Sequence, residues 1–170
     1  GRGEQGVVGA WGGPLRTTGG LIQEFGRDRV LDTPLSEAAF IGAAIGASST
    51  GLRAVAELMF VDFIGVCMDQ LVNNAAKMRY MFGGKAKIPI VIRCGVGGYL
   101  NAAAQHSQSL ESWFTLIPGL KIVAAGTPSD ARSLLRDSIE DENPVVLLES
   151  LALYDQKDDV PNDYVKNSLG

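Results

Sequence analysis

Residues 53–93 read RAVAELMFVDFIGVCMDQLVNNAAKMRYMFGGKAKIPIVIR, and this stretch decides the fold class. Its two ends, Arg53 to Phe60 and Ile88 to Arg93, are short, nearly continuous apolar runs rich in branched side chains. Such runs suit strands covered on both faces, as in a parallel sheet. Between them Phe63, Val66, Cys67, Leu71 and Ala75 recur at mostly three- and four-residue intervals, which predicts a helix over Phe63 to Met81. The pattern repeats downstream. Leu120 to Ala125 and Pro144 to Leu148 read as strands, and Ser129 to Asp141 places Ala131, Leu134, Leu135 and Ile139 on one helical stripe. Ser109 to Ile117 predicts a shorter helix stopped by Pro118-Gly119. Strands alternating with helices point to an α/β fold, a doubly wound, mainly parallel sheet with helices on both faces.

Composition narrows the classes. The chain has 170 residues, with 15 Lys+Arg against 19 Asp+Glu and a net charge of −4. That balance argues against nucleic acid as a partner, which requires a clustered basic face. At 46% hydrophobic and 20% charged, the chain can bury a core and is not of disordered composition. The length fits one domain. Cys67 and Cys94 form no disulfide framework and suit a reducing compartment. The first residues carry no signal pattern and no starting Met, which points to a start inside a longer protein. No apolar run approaches the roughly 18 residues needed to span a membrane. The polar tail from Tyr154, with Asp155, Lys157, Asp158 and Asp159 together, reads as a linker or a frayed end.

Strong catalytic signatures are missing: there is no HExxH, CxxC pair or Walker loop. Gly83-Gly84-Lys85 lacks the flanking residues of a phosphate loop, and Gly95-Val96-Gly97-Gly98 reads as a flexible connection after a strand. Asp32-Thr33-Pro34-Leu35-Ser36-Glu37 says more. Thr33 suits an N-cap and Pro34 a first helical position, which puts Glu37 in or near the first turn. An acidic residue there is an ordinary helix-start signal. Gly42 and Gly46 lie on one helix face and suit a close helix–helix contact, within the chain or across subunits. His106, the only histidine, follows the glycine-rich loop after a strand. There it is either an acid, base or hydrogen-bond donor or a structural loop residue. Met59, Phe60 and Phe63 suit either the core or an apolar floor for a flat heterocycle.

Taken together, these blocks resemble the beta subunits of thiamine-diphosphate-dependent 2-oxo acid dehydrogenases. The opening Val30-Leu31-Asp32-Thr33-Pro34-Leu35-Ser36-Glu37 is similar, and so is the spacing of Glu37, Gly42 and Gly46. Glu57 to Phe63, Asp69 to Asn73, Ala76 to Gly84, Gln105 to Gln108 and Pro118 to Leu120 follow in the family's order. Phe25-Gly26-Arg27-Asp28-Arg29 and Met81-Phe82-Gly83-Gly84-Lys85-Ala86 resemble the acetoin dehydrogenase branch in particular. The chain departs from the family at Ala54, where proline is common, in Ala124-Ala125-Gly126, and at Ser150.

The resemblance implies a transketolase-like pyrimidine-binding domain over residues 1–153, with its N-terminus clipped near Gly3-Glu4. Residues 154–170 are then a linker toward an absent C-terminal domain. It implies oxidative cleavage of acetoin or a 2-oxo acid, with acyl transfer to a lipoyl group. Glu37 matches the glutamate that hydrogen-bonds N1′ of the aminopyrimidine and promotes the imino form that deprotonates the thiazolium carbon. Met59 and Phe63 match residues on the pyrimidine face, and His106 matches the active-site histidine. Ile90, Ser138, Ile139, Asp141 and Asn143 match a structural potassium site built largely from carbonyls. Magnesium and the cofactor's diphosphate are expected on an alpha subunit, within a two-alpha, two-beta assembly that serves a lipoyl acyltransferase core. The compartment implied is the bacterial cytoplasm, or the mitochondrial matrix or a plastid. The isolated chain is expected to be inactive. Two other readings stay open: a non-catalytic assembly module, and the pyrimidine domain of a single-chain transketolase-like enzyme.

Overall fold

A computed structural model describes residues 12, 13, 15–163, 166, 168 and 169. The Gly3-Glu4 segment lies outside the described residues. The chain forms two compact units, Gly1–Ser36 and Glu37–Gly170. In the first, α1 (Leu21–Phe25) is bounded by Gly20 and Gly26 at φ 88° and 77°, a region glycine enters without steric cost.

The second unit holds four strands: β1 (Ala54–Phe60), β2 (Ile90–Val96), β3 (Lys121–Ala125) and β4 (Val145–Ser150). All pair in parallel, in the order β1-β2-β4-β3. The step from β1 to β2 runs one way across the sheet and the step from β3 to β4 runs back. Right-handed crossovers in opposite directions place their helices on opposite faces, which is the doubly wound arrangement. The packing agrees. Alternate residues Ala56, Leu58, Ile90, Ile92, Cys94, Val146 and Leu148 share one core with Ile41 and Ile45 of α2 (Glu37–Ser49) and with Val61, Ile64 and Leu71. Each of the valine, leucine and isoleucine side chains among them contributes roughly 1.5–3 kcal/mol when removed from water. α4 (Pro128–Glu140) packs instead on β2, β3 and β4. It starts as its sequence suggests, with Thr127 Oγ1 accepting from the Asp130 amide at 3.1 Å and Pro128 in the first turn. Ala54 uses its N–H to donate to the Pro89 carbonyl at 3.3 Å, a bond for which proline has no donor.

Three expectations need correction. The helix placed at Pro34 begins at Glu37, so Pro34 is not its first residue. The helix expected over Ser109 to Ile117 is a single 3₁₀ turn, Glu111–Trp113. Phe114 is buried in the core, and Thr115 Oγ1 bonds back to the Ser112 carbonyl at 2.8 Å, so side-chain competition and a fixed anchor hold the segment short of a helix. Residues 61–81 are helical throughout, but the hydrogen-bond register changes along the way. It is 3₁₀ over Val61–Cys67 and π over Gln70–Ala75, before α3 (Ala76–Met81) resumes the α register. Gly83 and Gly84, both at positive φ, then end the helix, and the Gly84 amide reaches back to the Arg79 carbonyl at 2.8 Å.

Candidate functional site

The carboxyl ends of β1 and β2 are where an open α/β sheet of this topology places ligands. β1 ends in a bulge: Leu58 pairs with Cys94 and Phe60 with Gly95, so Met59 is the extra residue. Bulges of this kind re-aim side chains next to functional sites. The bulge needs a glycine opposite it, because a Cβ on Gly95 would stand 2.9 Å from both the Met59 carbonyl oxygen and Leu151 Cδ2. Directly after the bulge, the Val61–Cys67 turn carries Asp62 and Phe63.

The loop after β2 starts at Gly97, at φ 93°, and its neck is closed by the Gly97 amide donating to the Gln108 carbonyl at 3.0 Å. His106 lies in the short turn Ala104–His106. Its half-buried ring meets Phe60 edge-on, with centroids 5.0 Å apart, and Phe63 at 5.2 Å. Asp62 Oδ1 accepts from the amides of Ser107 and Gln108, at 3.2 and 3.1 Å, and from Gln108 Nε2 at 2.9 Å.

Glu37 opens α2, half-buried, and α2 packs on the Val61–Cys67 turn. Cys67, at the end of that turn, has its thiol pushed up to about 11, mainly by burial and to a smaller extent by the negative charge of Glu37. One turn therefore has His106 against Phe63 near its start and the field of Glu37 on Cys67 at its end. Gly42, on the next turn of α2, faces Gln70 of the π segment, where a Cβ would stand 3.2 Å from Oε1. Gly46 has no neighbour within 4 Å of that position among the described residues, so one glycine of the pair serves a contact within the chain and the other does not. The donor set fits an aminopyrimidine: a carboxyl for a ring nitrogen, an aromatic face in Phe63, and an imidazole beside it. Asp62, which ties the loop after β2 to this turn, is the residue that sequence reasoning did not single out. Its place inside the Glu57 to Phe63 block was the only signal.

The carbonyls proposed for potassium behave differently. Arg53 Nη1 donates to the carbonyls of Ile139 at 2.6 Å and Asp141 at 3.0 Å, and its Nη2 lies 3.6 Å from Glu142. The Asp141 carboxylate is taken by Lys121 Nζ at 2.8 Å and by two bonds from Asn143. Burial alone pushes Asp141 up, but these partners outweigh it and hold the carboxyl below its ordinary range. A potassium ion on the same oxygens would sit beside a guanidinium, and two unit charges about 4 Å apart repel by about 4 kcal/mol at an effective dielectric of 20. These residues do not fit the ion; Arg53 is the cation at this end of α4. Ser138 is buried with its hydroxyl donating to the Leu134 carbonyl, and Ile90 is buried at the start of β2. Among the described residues no group of three or more His, Cys, Asp or Glu could hold a metal ion. No described helix is long and apolar enough to cross a membrane.

The comparisons with known proteins converge on the same architecture. Residues 5–157 match the family described as transketolase, pyrimidine binding domain. The chain is 58% identical over 161 residues to the acetoin:2,6-dichlorophenolindophenol oxidoreductase subunit beta of Bacillus subtilis (strain 168), covering 95% of this chain and 47% of that protein. It is 48% identical to the pyruvate dehydrogenase E1 component subunit beta of Gracilaria tenuistipitata var. liui, over 92% of this chain and 48% of that one. It thus spans about half the length of the curated relatives it matches. A solved structure titled "Split gene transketolase, inactive beta4 tetramer" shares the fold at a TM-score of 0.61 and 20% identity, over 76% of this chain and 39% of that chain. A parallel sheet wound on both faces, a carboxyl at the start of α2 and a family match over most of the length lead to one assignment: this chain belongs to the transketolase pyrimidine-binding domain family.

Proposed function

We propose that this chain is the pyrimidine-binding part of the beta subunit of a thiamine-diphosphate-dependent dehydrogenase. The enzyme would cleave acetoin or a 2-oxo acid and pass the acyl fragment to a lipoyl arm. The reading is supported by the similarity to beta subunits of that class together with one juxtaposition: α2, which Glu37 opens, packs on the Val61–Cys67 turn whose Phe63 meets His106. Thiamine diphosphate, when bound, would supply the nucleophilic carbon that this chemistry requires. Glu37 would hold and return a proton at the pyrimidine ring nitrogen, a task that favours a carboxyl withdrawn from bulk water, as half-buried Glu37 is. Phe63 and the bulged Met59 would bear on the pyrimidine face, and His106 would donate a hydrogen bond or a proton to the reacting carbonyl oxygen. Magnesium and the diphosphate would be held by an alpha subunit, in an assembly of two alpha and two beta chains that docks on a lipoyl acyltransferase. Residues 154–170 would link to the second beta domain.

The test is Glu37→Gln in the full-length beta subunit, assembled with its alpha partner. Turnover is expected to fall by about 10²–10⁴-fold, the usual worth of a positioned acid–base group, while sedimentation shows the assembly intact. A rate equal to wild type removes Glu37 from the mechanism. A complex that assembles but takes up no thiamine diphosphate would instead support a purely architectural role. A parent chain that carries its own diphosphate-binding domain would support a single-chain transketolase-like enzyme.

A further inference from the structure

The loop that carries His106 is held in a costly conformation. Asn101 and Ala103 both have positive φ, 52° and 61°, without being glycine. Residues forced into such regions cost roughly 1–3 kcal/mol each and persist only where surrounding contacts over-determine them. Two contacts at the far end of the loop come from one short segment, residues 60–63. Phe60 and Phe63 grip the imidazole of His106, and between them in the chain Asp62 grips the next two residues. A single oxygen, Oδ1, takes three hydrogen bonds from Ser107 and Gln108. These residues lie 45 and 46 positions away in sequence, so the contact is tertiary.

We propose that Asp62 is a positioning residue: through Ser107 and Gln108 it fixes the His106 imidazole against Phe60 and Phe63 at the carboxyl edge of β1 and β2. The acceptor oxygen is what matters, because every one of the three bonds is donated by the loop. Removing it frees a strained loop to relax, and the imidazole moves with it. A displacement of about 1 Å at a reacting group can cost on the order of 100-fold in rate. The consequence for turnover rests on the reading of His106 given above; the tether itself does not.

The experiment uses the full-length beta subunit in complex with its alpha partner and has two readouts. Hydrogen exchange followed by mass spectrometry reports the tether. In Asp62→Ala, exchange at Ser107 and Gln108 is expected to accelerate while the β2 amides stay at wild-type protection. Kinetics report the consequence. Asp62→Ala is expected to lose on the order of 100-fold in kcat with little change in KM. Asp62→Asn, which keeps the acceptor oxygen, is expected to recover most of that loss. In a His106→Ala background, Asp62→Ala is expected to add nothing, since two residues acting as a unit are not additive. Gln108→Ala deletes only the exposed side-chain arm at 2.9 Å, so it tests the tether even if Asp62→Ala fails to assemble, with a loss on the order of 10-fold expected. Unchanged loop exchange in both Asp62→Ala and Gln108→Ala overturns the proposal, as does a multiplicative loss in the double variant. A His106→Ala enzyme of full activity with a loosened Asp62→Ala loop would instead overturn the role given to His106 and leave the tether standing.

Discussion

Glu57 faces Arg93 across the β1–β2 pair, yet Arg93 gives its two parallel bonds, both 2.8 Å, to Glu149. Tyr154 adds a third contact to Glu149, its hydroxyl donating at 2.7 Å, and its phenol is pushed up mainly by burial and then by that carboxylate. Glu57 Oε2 is left buried without a partner. Burial raises its pKa above the ordinary 4.5; Arg93 opposes the shift and Glu149 adds to it. For a carboxyl raised in this way the folded state binds the proton more tightly. The associated stability is present in full below 4.5 and drains away as pH climbs through the folded value. Asp141, held low by Lys121 and Asn143, works in the opposite sense, lending stability that disappears only on acidification. Glu57→Gln is therefore expected to gain on wild type in urea melts as pH rises from 4.5 to neutrality. Parallel melting profiles for the two proteins across that span would refute the assignment.

At the level of elements, the bulge at Met59 and the glycine opposite it form one unit. Gly95→Ala is expected to destabilise the fold by about 1–3 kcal/mol, the cost of forcing extra atoms into a packed contact, and calorimetry of the variant checks it. A melting temperature equal to wild type would mean that β1 can shift to admit the methyl group. The strands were legible because near-continuous apolar runs such as Ile90 to Ile92 admit few readings once both faces must be covered. α4 was legible from the stripe of Ala131, Leu134, Leu135 and Ile139, and its Thr127-Pro128 start was not. Residues 61–81 were legible as a helix but not in their changes of register, because 3₁₀, α and π turns share the same apolar spacing over short spans. The segment around Phe114 misled, since one buried aromatic outweighed a local helical pattern. Glu37, Phe63 and His106 were singled out by the resemblance, since residue type alone left each of them open to a structural reading, whereas Asp62 was not singled out at all. A lone aspartate beside two phenylalanines reveals nothing until a loop 45 residues later folds onto it.

Across the whole of the second unit, Arg53 connects parts that are remote in sequence. It precedes β1 and bonds the end of α4, 86 and 88 positions downstream, while Lys87 joins the same cluster through Glu142 at 2.7 Å. With a side chain already supplying the positive charge, replacing potassium by choline in the buffer is expected to leave the thermal midpoint of the protein unchanged. Arg53→Met is expected to lower stability by about 1–2 kcal/mol, a charged hydrogen-bond contribution discounted for solvent screening. A midpoint that climbs steeply with potassium in the wild-type protein would restore the ion to those carbonyls.

The strand order carries a consequence for biosynthesis. β4, the last of the four described strands in chain order, lies between β2 and β3, so this sheet is completed from its interior. Until Val145–Ser150 emerges, β2 offers the nascent chain an open edge and β3 has no hydrogen-bonded strand neighbour among the described residues. A polypeptide released before that point would keep only the β1–β2 pair, with adhesive backbone exposed to other chains. Premature termination should therefore yield inclusion bodies rather than a smaller working domain.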